Sequence, residues 1–576
     1  MLSQKYNNNM KMTTRRSLLK STIALTATAA LPLSLSTPAF ARETSSREFL
    51  KEFFSHSENT VGTIKLRYKE ELARIYQQRG YAPLWIQKGK MTFTSKAVLK
   101  KLSSAQLLGL DASKYYSRLL SQLSASKNPQ HRFQFEIIMT DALYTYFDDV
   151  AHGNLRQNDA SSGWNLKEGN IDVRAITTEF FTGNHSFRQT IDALEPDHPR
   201  YKGLLKALHS HYVMAAAGGW TEFPNGPALE YDESDSRIPV LKQRLQQSGD
   251  LAETHVDGDE KFNLAVFEGL TNFQNRHGLQ PDGVLGPKTV AELNVPLHKR
   301  ISQIHMNLDR WRWLTRSDKQ SNIIVNVPGY DLDVTLHGEL AMTMKVVVGK
   351  PGNRTPLFSD EMEHLVVNPS WYVPSSITRE LLPRELARPG YLARNRFEAL
   401  SLATEESVSL ASLDMHDKHP NNFLSNYRLR QLPGKSNALG DIKFMFPNDY
   451  SIYLHDTNAK NLFDKTERAY SHGCVRLEKP FALAKLLLQH DGRSAAQIDT
   501  LLGQKSTTTL VLDRHVPVHL TYQTAWVDGN GKTHFRPDIY GHDKKAGESL
   551  DKGKSFYADA ENYALDATND IVVSSG

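Results

Sequence analysis

The chain of 576 residues contains a single cysteine, Cys474. An internal disulfide therefore cannot form, and the fold must rest on packed apolar cores. A chain of this length exceeds what one core can hold, so we expect about three domains. The cysteine lies in the run Tyr470-Ser-His-Gly-Cys-Val-Arg-Leu477, and His455 precedes it by 19 residues. A lone cysteine with a histidine elsewhere in the chain is typical of a thiol nucleophile. A buried cysteine that serves only as a small apolar side chain is the simpler alternative.

Residues 1–41 have the features of an export signal. A positive region around Arg15 and Arg16 is followed by an apolar stretch and by the small-residue cleavage site Ala39-Phe-Ala41. The paired arginines fit the twin-arginine signal, and an ordinary secretion signal with two arginines explains them equally. No later stretch has the roughly 18 uninterrupted apolar residues of a membrane span. We therefore expect a periplasmic protein without a stable membrane span.

The charge balance argues against a nucleic-acid partner. The chain has 69 Lys and Arg against 64 Asp and Glu, a net charge of +5, and the basic residues form no long block. Charges distributed in this way are typical of a solvated surface. One cysteine and two nearby histidines, without Cys-x-x-Cys or His-x-x-x-His spacing, are too few for a metal site. We expect neither a metal nor a cofactor.

The first two-fifths of the chain has helical periodicity. Apolar residues such as Leu72, Ile75 and Tyr76 recur at helical spacing, and residues 42–230 are predicted to form a helical scaffold domain. In residues 235–296, two amphipathic helices are followed by a turn at Asp282-Gly283, and Pro287 is expected to begin a third helix.

This second segment contains the pattern Phe273-Gln-x-x-His-Gly-Leu279 followed by Asp282-Gly-x-x-Gly286. The pattern resembles the peptidoglycan-binding domain family over the whole segment. The resemblance implies affinity for cell-wall peptidoglycan. A three-helix bundle without a binding function is the alternative.

From about residue 297 the apolar pattern changes to period two, which indicates a mainly antiparallel sheet. Strands are expected at Ile323–Val327 and Asp331–Leu336, and further strands at 342–348, 452–455, 510–512, 516–522, 525–527 and 533–535. Residues 371–435 interrupt this pattern and are predicted to form an inserted lid subdomain. The fold class is therefore α+β and multidomain, with a catalytic domain at 297–540 and a C-terminal tail at 541–576.

The motif around the cysteine resembles the L,D-transpeptidase catalytic domain of the YkuD type. The resemblance rests on His455, a spacer from Asp456 to Tyr470, and the run Ser471-His-Gly-Cys474-Val-Arg476. Similar runs occur around Gly349–Phe358, Asn368–Ile377 and Gly434–Gly440. The family often has Gly after the first histidine, where this chain has Asp456. The domain order resembles the long periplasmic members, the YcbB-like class.

The resemblance implies roles for named residues. Cys474 would be the nucleophile and His455 the general base, either taking the thiol proton or holding a thiolate–imidazolium pair. The backbone N–H groups near Gly473 and Cys474 would form the oxyanion hole, and His472 would orient its neighbours or simply pack in the loop. Substrate-binding residues would be Arg476, Ser471, Tyr453, Trp371 and Asn437. For Ser471 the alternative is a hydrogen bond that holds the loop, and for Arg476 it is a salt bridge that only supports the loop. Trp371 and Tyr453 fit a core equally well.

The implied activity is formation of 3→3 cross-links between meso-diaminopimelate residues. A tetrapeptide donor would acylate the cysteine as a thioester, with release of D-alanine. The alternatives are an L,D-carboxypeptidase, a transpeptidase that anchors a lipoprotein, and a non-catalytic wall-binding scaffold. Expected partners are peptidoglycan and periplasmic wall-synthesis proteins, with a role in cell shape. The resemblance also implies that carbapenems acylate Cys474.

Overall fold

The computed structural model describes residues 46–87, 90–156, 171–314, 321–414 and 416–550, with side chains up to residue 547. The predicted signal at 1–41 and residues 551–576 of the predicted tail lie outside this part of the chain. The helices are α1 Ser46–Ser55, α2 Lys69–Gln78, α3 Phe93–Ser103, α4 Ser117–Ala125, α5 Pro129–His152, α6 Val173–Thr182, α7 Phe187–Leu194, α8 Pro199–Ala216, α9 Ile238–Gln247, α10 Leu264–Arg276, α11 Pro287–Leu293, α12 Leu297–Arg312, α13 Ser375–Ala387, α14 Tyr391–Arg394, α15 Pro420–Asn426, α16 Pro480–His490, α17 Ala496–Gln504 and α18 His542–Leu550.

Most strands lie in the second half of the chain. They are β1 Thr60–Val61, β2 Ile64–Lys65, β3 Ile86–Gln87, β4 Lys90–Met91, β5 Asn322–Asn326, β6 Asp331–Leu336, β7 Glu339–Gly349, β8 Ser359–Val367, β9 Trp371–Tyr372, β10 Phe397–Ser401, β11 Ser407–Val408, β12 Tyr427–Gln431, β13 Ile442–Met445, β14 Leu454–His455, β15 Ala469–Ser471, β16 Val475–Leu477, β17 Thr508–Thr521, β18 Ala525–Val527 and β19 Thr533–Phe535. The arrangement is α+β, as the sequence predicts.

The helical region contains two packing groups. Helices α1–α4, α6 and α7 pack around the long helix α5, whose side chains are buried along most of its length. Helix α8 instead packs on α12 and β18, and its Tyr201, Leu204 and Leu208 belong to the core of the large sheet. The packing therefore does not follow the predicted domain boundary at residue 230. Helix α8 lies before that boundary, but its apolar face is buried against the part of the chain that contains the large sheet.

Helices α9–α11 form a unit with its own core, and α11 begins at Pro287 as predicted. The side-chain amide of Gln274 donates to Asp282 and to the Val284 carbonyl, while its oxygen accepts from the Gly283 N–H at 2.8 Å. Gly283 has φ +70°, and a Cβ there would meet the Phe267 ring at 2.2 Å. Only glycine fits this turn without displacing a core aromatic ring.

The three-helix unit is attached to the hairpin β18–β19 by two arginines. Arg276 donates to the Thr533 carbonyl and forms a buried ion pair with Asp250, and Arg536 donates to the Arg276 carbonyl at 2.8 Å. On the other side of the unit, the hydroxyl of Thr466 donates to Gln280 at 2.6 Å. The unit thus also contacts the spacer that precedes the cysteine motif.

The large sheet has nine strands in the order β15-β7-β16-β14-β13-β8-β17-β5-β6. Because β7 pairs with both β6 and β16, the sheet closes on itself. Most pairs are antiparallel, whereas β14–β16, β7–β15 and β5–β17 are parallel. The predicted strands at 510–512 and 516–522 are one strand, β17, whose register shifts between Val511 and Val516. Strands β8 and β13 were not predicted.

Between β8 and β13 the chain forms a separate subdomain, hereafter the insert, which comprises residues 371–431. It contains a four-stranded sheet in the order β11-β10-β12-β9, covered by α13–α15, with its own small core. The insert begins just after β8, the strand that borders β13. It is therefore held beside the strands that carry the cysteine motif.

The predicted tail is wrong for residues 541–550. This segment forms α18, and Asp543 forms an ion pair of 2.7 Å with Arg310 of α12 and accepts a hydrogen bond from Thr524. Both partners are buried, so α18 is part of the catalytic core. In the described part of the chain no helix is long and apolar enough to cross a membrane.

Candidate active site

Two short parallel strands bring the motif residues together. In β14 and β16, Leu454 pairs with Val475 and His455 pairs with Arg476. Side chains alternate between the faces of a strand, so Leu454 and Val475 point into the core, where both are fully buried. His455 and Arg476 therefore share the opposite face. Cys474 and Tyr453, which immediately precede β16 and β14, lie at the edge of the same face.

Cys474 is half-buried, and its thiol lies close to polar groups. Its sulfur lies 3.8 Å from the carbonyl oxygen of Ser451, to which the S–H donates. Burial raises the pKa of Cys474 above its ordinary value, while hydrogen bonds from the Tyr453 backbone and hydroxyl lower it and Arg476 lowers it further. The burial effect dominates, so the protonated thiol is the resting form.

His455 is buried and neutral. Its Nδ1–H donates to the carbonyl oxygen of Asp456, which fixes the tautomer and leaves Nε2 with a free lone pair. Burial lowers the pKa of His455 to about 3, and the positive charge of Arg476 contributes to the shift. Asp456, the departure from the family pattern, supplies this carbonyl, and its carboxylate pairs with Lys460 and accepts the Asp441 N–H.

The loop before Cys474 is held by Ser471, whose side chain is almost fully buried. The Ser471 hydroxyl donates to the carbonyl of Cys474 and accepts the Gly473 N–H at 3.1 Å. Both hydrogen-bonding functions of the hydroxyl therefore serve the loop, and a substrate contact of Ser471 stays a prediction. The predicted oxyanion role of Gly473 needs correction, because its N–H is already engaged.

A threonine that the sequence analysis did not select fixes the next peptide group. Thr355, which is 1% exposed, donates its hydroxyl proton to the Gly473 carbonyl at 2.7 Å and accepts the Gly349 N–H at 2.9 Å. Tyr540 holds the same segment through the Gly349 carbonyl and the Thr355 N–H. In a trans peptide the N–H points away from the carbonyl, so Thr355 determines the direction of the Cys474 N–H.

Two cations face the thiol. Arg476 and Lys443 occupy the strands on either side of β14, since both pair with His455 in the register of the sheet. Burial lowers the pKa of each, and the Cys474 thiolate raises it. Within the described residues, neither side chain forms an ion pair with a carboxylate, and Nε of Arg476 is buried without a hydrogen-bond partner. The alternative of a loop-supporting salt bridge for Arg476 is therefore wrong for this part of the chain.

The insert reaches the site through two side chains. The Tyr453 hydroxyl, which hydrogen-bonds to the thiol, also hydrogen-bonds to the side chain of Trp371 in β9. An indole can only donate, so the tyrosine oxygen is the acceptor. Nε2 of His472 lies 3.1 Å from both carboxylate oxygens of Glu380 in α13. His472 therefore faces the insert, whereas the Asp456 carbonyl orients His455, and an orienting role of His472 stays a prediction.

Asn437 does not line the site. Its side chain is fully buried, and its amide donates to the backbone carbonyls of Pro369 and Leu432 while its oxygen accepts the Leu439 N–H. It therefore ties both ends of the insert together. Among the described residues, one convergent group of three potential metal ligands exists, Asp414, His416 and Asp417 on the insert, and it includes neither Cys474 nor His455.

Sequence reasoning missed Thr355, Lys443 and Glu380. Thr355 lies in the run Gly349–Phe358, which carries part of the family resemblance, so a signal for it was present. Lys443 lies on β13, a strand that was not predicted. Glu380 is recognisable only once the insert is placed against the loop.

Comparison with known proteins identifies the parts of the chain. Three family models match it: "Scaffold domain" at residues 70–208, "Putative peptidoglycan binding domain" at 234–293 and "L,D-transpeptidase catalytic domain" at 320–510. A solved L,D-transpeptidase structure from Xylanimonas cellulosilytica is 15% identical and covers 52% of this chain and 100% of its own, at a TM-score of 0.15. That score is too low to bear on the fold.

A curated relative from Haemophilus influenzae, named "Putative L,D-transpeptidase", is 37% identical over 492 residues, which is 84% of this chain and 80% of the relative. The present chain belongs to the L,D-transpeptidase family. It combines the catalytic domain of that family with a peptidoglycan-binding domain, and the resemblance found in the sequence is confirmed.

Proposed function

We propose that this protein is a periplasmic cysteine L,D-transpeptidase that forms 3→3 cross-links between meso-diaminopimelate residues of peptidoglycan. The single observation that carries the proposal is the shared sheet face of Cys474, Tyr453, His455 and Arg476. A thiol, a neutral base and a guanidinium without a carboxylate partner among the described residues lie on this face, which supports the proposal. The family membership and the peptidoglycan-binding domain support the same substrate.

Thioester formation begins from a neutral thiol and a neutral imidazole. With the thiol pKa raised and the His455 pKa near 3, the thiolate–imidazolium pair is not the resting state. The S–H proton of Cys474 passes to Nε2 of His455 as sulfur bonds to the carbonyl carbon of meso-diaminopimelate. The carbonyl–nitrogen bond then breaks, and the imidazolium returns the proton to the nitrogen of the departing D-alanine.

The oxyanion of the tetrahedral intermediate needs a fixed donor. The Cys474 N–H, whose direction is determined by the Thr355–Gly473 hydrogen bond, is that donor. One such donor contributes roughly 10²–10³ in rate. The Tyr453 hydroxyl, held between Trp371 and the thiol, supplies a second polar contact at the reacting centre.

The second half-reaction restores the thiol. The side-chain amine of an acceptor stem attacks the thioester carbonyl, loses its proton to His455 and forms the cross-link, and the proton returns to the sulfur. Arg476 binds a carboxylate of the substrate, for which its planar guanidinium is suited. The insert acts as a lid over the two stems, through Trp371 and the His472–Glu380 contact.

The test is product analysis with purified disaccharide-tetrapeptides and mass spectrometry, for the mature protein and the Cys474→Ala and His455→Ala variants. Dimers that have lost one D-alanine, made by the wild type and by neither folded variant, are expected. Full activity in either variant would contradict the mechanism. Tripeptide monomers alone would identify a carboxypeptidase, or an enzyme whose true acceptor, such as a lipoprotein, was missing. No product would favour the wall-binding scaffold.

A carbapenem provides a separate check of the nucleophile. Because the chain has one cysteine, acylation adds one mass increment that disappears in Cys474→Ala. An unmodified wild-type protein after prolonged exposure would contradict an accessible nucleophile at this position.

A further inference from the structure

Lys443 is an unusual side chain for the place it occupies. It lies on β13, whose neighbours are β14 and β8, and it pairs with His455 on one side and Val366 on the other. The residues before and after it, Ile442 and Phe444, are fully buried in the core of the sheet. Lys443 therefore lies on the opposite face, which is the face of the thiol and the imidazole.

The ammonium group of Lys443 has no carboxylate to neutralise it in the described part of the chain. Its Nζ lies 5.6 Å from the centroid of the Tyr453 ring. Burial lowers the pKa of Lys443, and the negative charge of the Cys474 thiolate raises it. A cation that is partly removed from water and unpaired costs free energy, unless a bound ligand supplies the missing negative charge.

The register of the sheet relates Lys443 to Arg476, which also has no carboxylate partner among the described residues. Arg476, His455 and Lys443 pair in a row across three adjacent strands, with the imidazole in the middle. Neighbouring strands are about 4.8 Å apart, so the two cationic residues stand about 10 Å apart on either side of the catalytic base. A ligand at the thiol therefore meets positive charge in two directions.

We propose that Lys443 binds a carboxylate of the acyl donor and thereby selects an anionic stem peptide. This inference rests on the proposed function. The scissile bond of the proposed donor joins two residues that each carry a free carboxylate, one on the meso-diaminopimelate side chain and one on the terminal D-alanine. Arg476 accommodates one of them and Lys443 the other. The Lys443 ammonium acts as a point charge, whereas the Arg476 guanidinium binds bidentately.

The inference predicts a coupling between one side chain and one substrate group. Three donors are needed: the free-acid tetrapeptide, the same peptide with a D-alaninamide terminus, and the same peptide with the meso-diaminopimelate side-chain carboxylate amidated. In Lys443→Gln, kcat/KM for the free-acid donor should fall roughly ten- to hundredfold, mainly through KM. With the donor that lacks the partner carboxylate, wild type and variant should be equal. Lys443→Arg, which retains the charge, should recover most of the loss.

Binding measurements keep this test independent of turnover. In a Cys474→Ala background, calorimetry with the same three peptides should show the same selective weakening on Lys443→Gln. Failure of the wild type to cross-link would refute the proposed function, and the binding series would still decide the role of Lys443. The reaction of Cys474 with iodoacetamide, an uncharged reagent, should slow in Lys443→Gln, because the Lys443 charge lowers the pKa of the thiol. That effect does not depend on the donor, so the comparison among the three donors isolates the carboxylate contact. An equal loss with all three donors, in turnover and in binding, would overturn the inference, because Lys443 would then act only on the thiol or on the fold.

Discussion

The resting state of the cysteine–histidine pair can be tested by alkylation. The thiolate reacts with iodoacetamide and the thiol hardly does, so the rate constant follows the ionised fraction. The pKa of Cys474 is raised above its ordinary value of 9.0, mainly by burial. At pH 7 the thiolate fraction is therefore below about 1%, because each unit between pH and pKa is a factor of ten. The rate should rise about tenfold for each pH unit from pH 6 to pH 9.

The readout is simple because the chain has one cysteine. Intact mass spectrometry after timed exposure gives the rate constant for Cys474 at each pH, and a short unstructured peptide with one cysteine serves as the control thiol. The midpoint for Cys474 should lie above that of the control. His455→Ala should leave the midpoint close to the wild-type value, because a neutral imidazole does not stabilise the thiolate by its charge.

A thiolate–imidazolium pair predicts the opposite result. Alkylation would then be fast and nearly independent of pH down to pH 5, and His455→Ala would raise the midpoint. Either observation would refute the argument from burial. Turnover should not follow the alkylation profile. Since the His455 pKa is about 3, the base stays unprotonated at pH 5, and kcat/KM should not show an acid limb near pH 6.5.

Three further predictions concern the loop and the insert. Thr355→Val should lower kcat/KM at least tenfold in steady-state assays, because the Gly473 carbonyl loses the donor that orients the next N–H, while Thr355→Ser should retain most activity. Gly473→Ala should lower the free energy of unfolding by about 1–3 kcal/mol in urea titrations, because φ is +122° and the added methyl would lie 3.2 Å from Ile452; equal stability would contradict this. Glu380→Gln should change the unfolding free energy by less than about 1 kcal/mol, since its pair with His472 is largely exposed, and a larger loss would indicate a structural role for the contact.

Local patterns predicted the hairpins of the sheet well. The alternation of apolar and polar residues on both sides of Pro328-Gly329 predicted β5 and β6, in which Asn326 pairs with Asp331. The turn Asp528-Gly-Asn-Gly531 joins β18 and β19 in the same way. In each case the two strands are adjacent in sequence, so turn and pattern contain the necessary information. Strands β8 and β13 pair across the whole insert, and no local signal indicates that Val366 lies beside Lys443.

The candidate site shows the same limit. Cys474, His455 and Arg476 were recognised from one short motif, and the structure places all three on one face, although their roles remain proposals. The position of Lys443 beside His455 is not recognisable until the register of the sheet is known, whereas Thr355 lies in a run that carries part of the resemblance. Asn437 was assigned to the substrate from the resemblance around Gly434–Gly440, whereas its buried amide hydrogen-bonds to the backbone.

The attachment of the three-helix unit through Arg276 and Arg536 has a consequence for how cell wall reaches the site. A binding module on a flexible linker samples a volume, and the local concentration of its cargo falls as the linker lengthens. Here the module is fixed by hydrogen bonds to the β18–β19 hairpin and touches the motif spacer at Thr466. A glycan strand bound to the module would be presented in one orientation, so only stems at a set distance along the strand could enter the site. The spacing of the resulting cross-links would then be dictated by the shape of the protein rather than by diffusion.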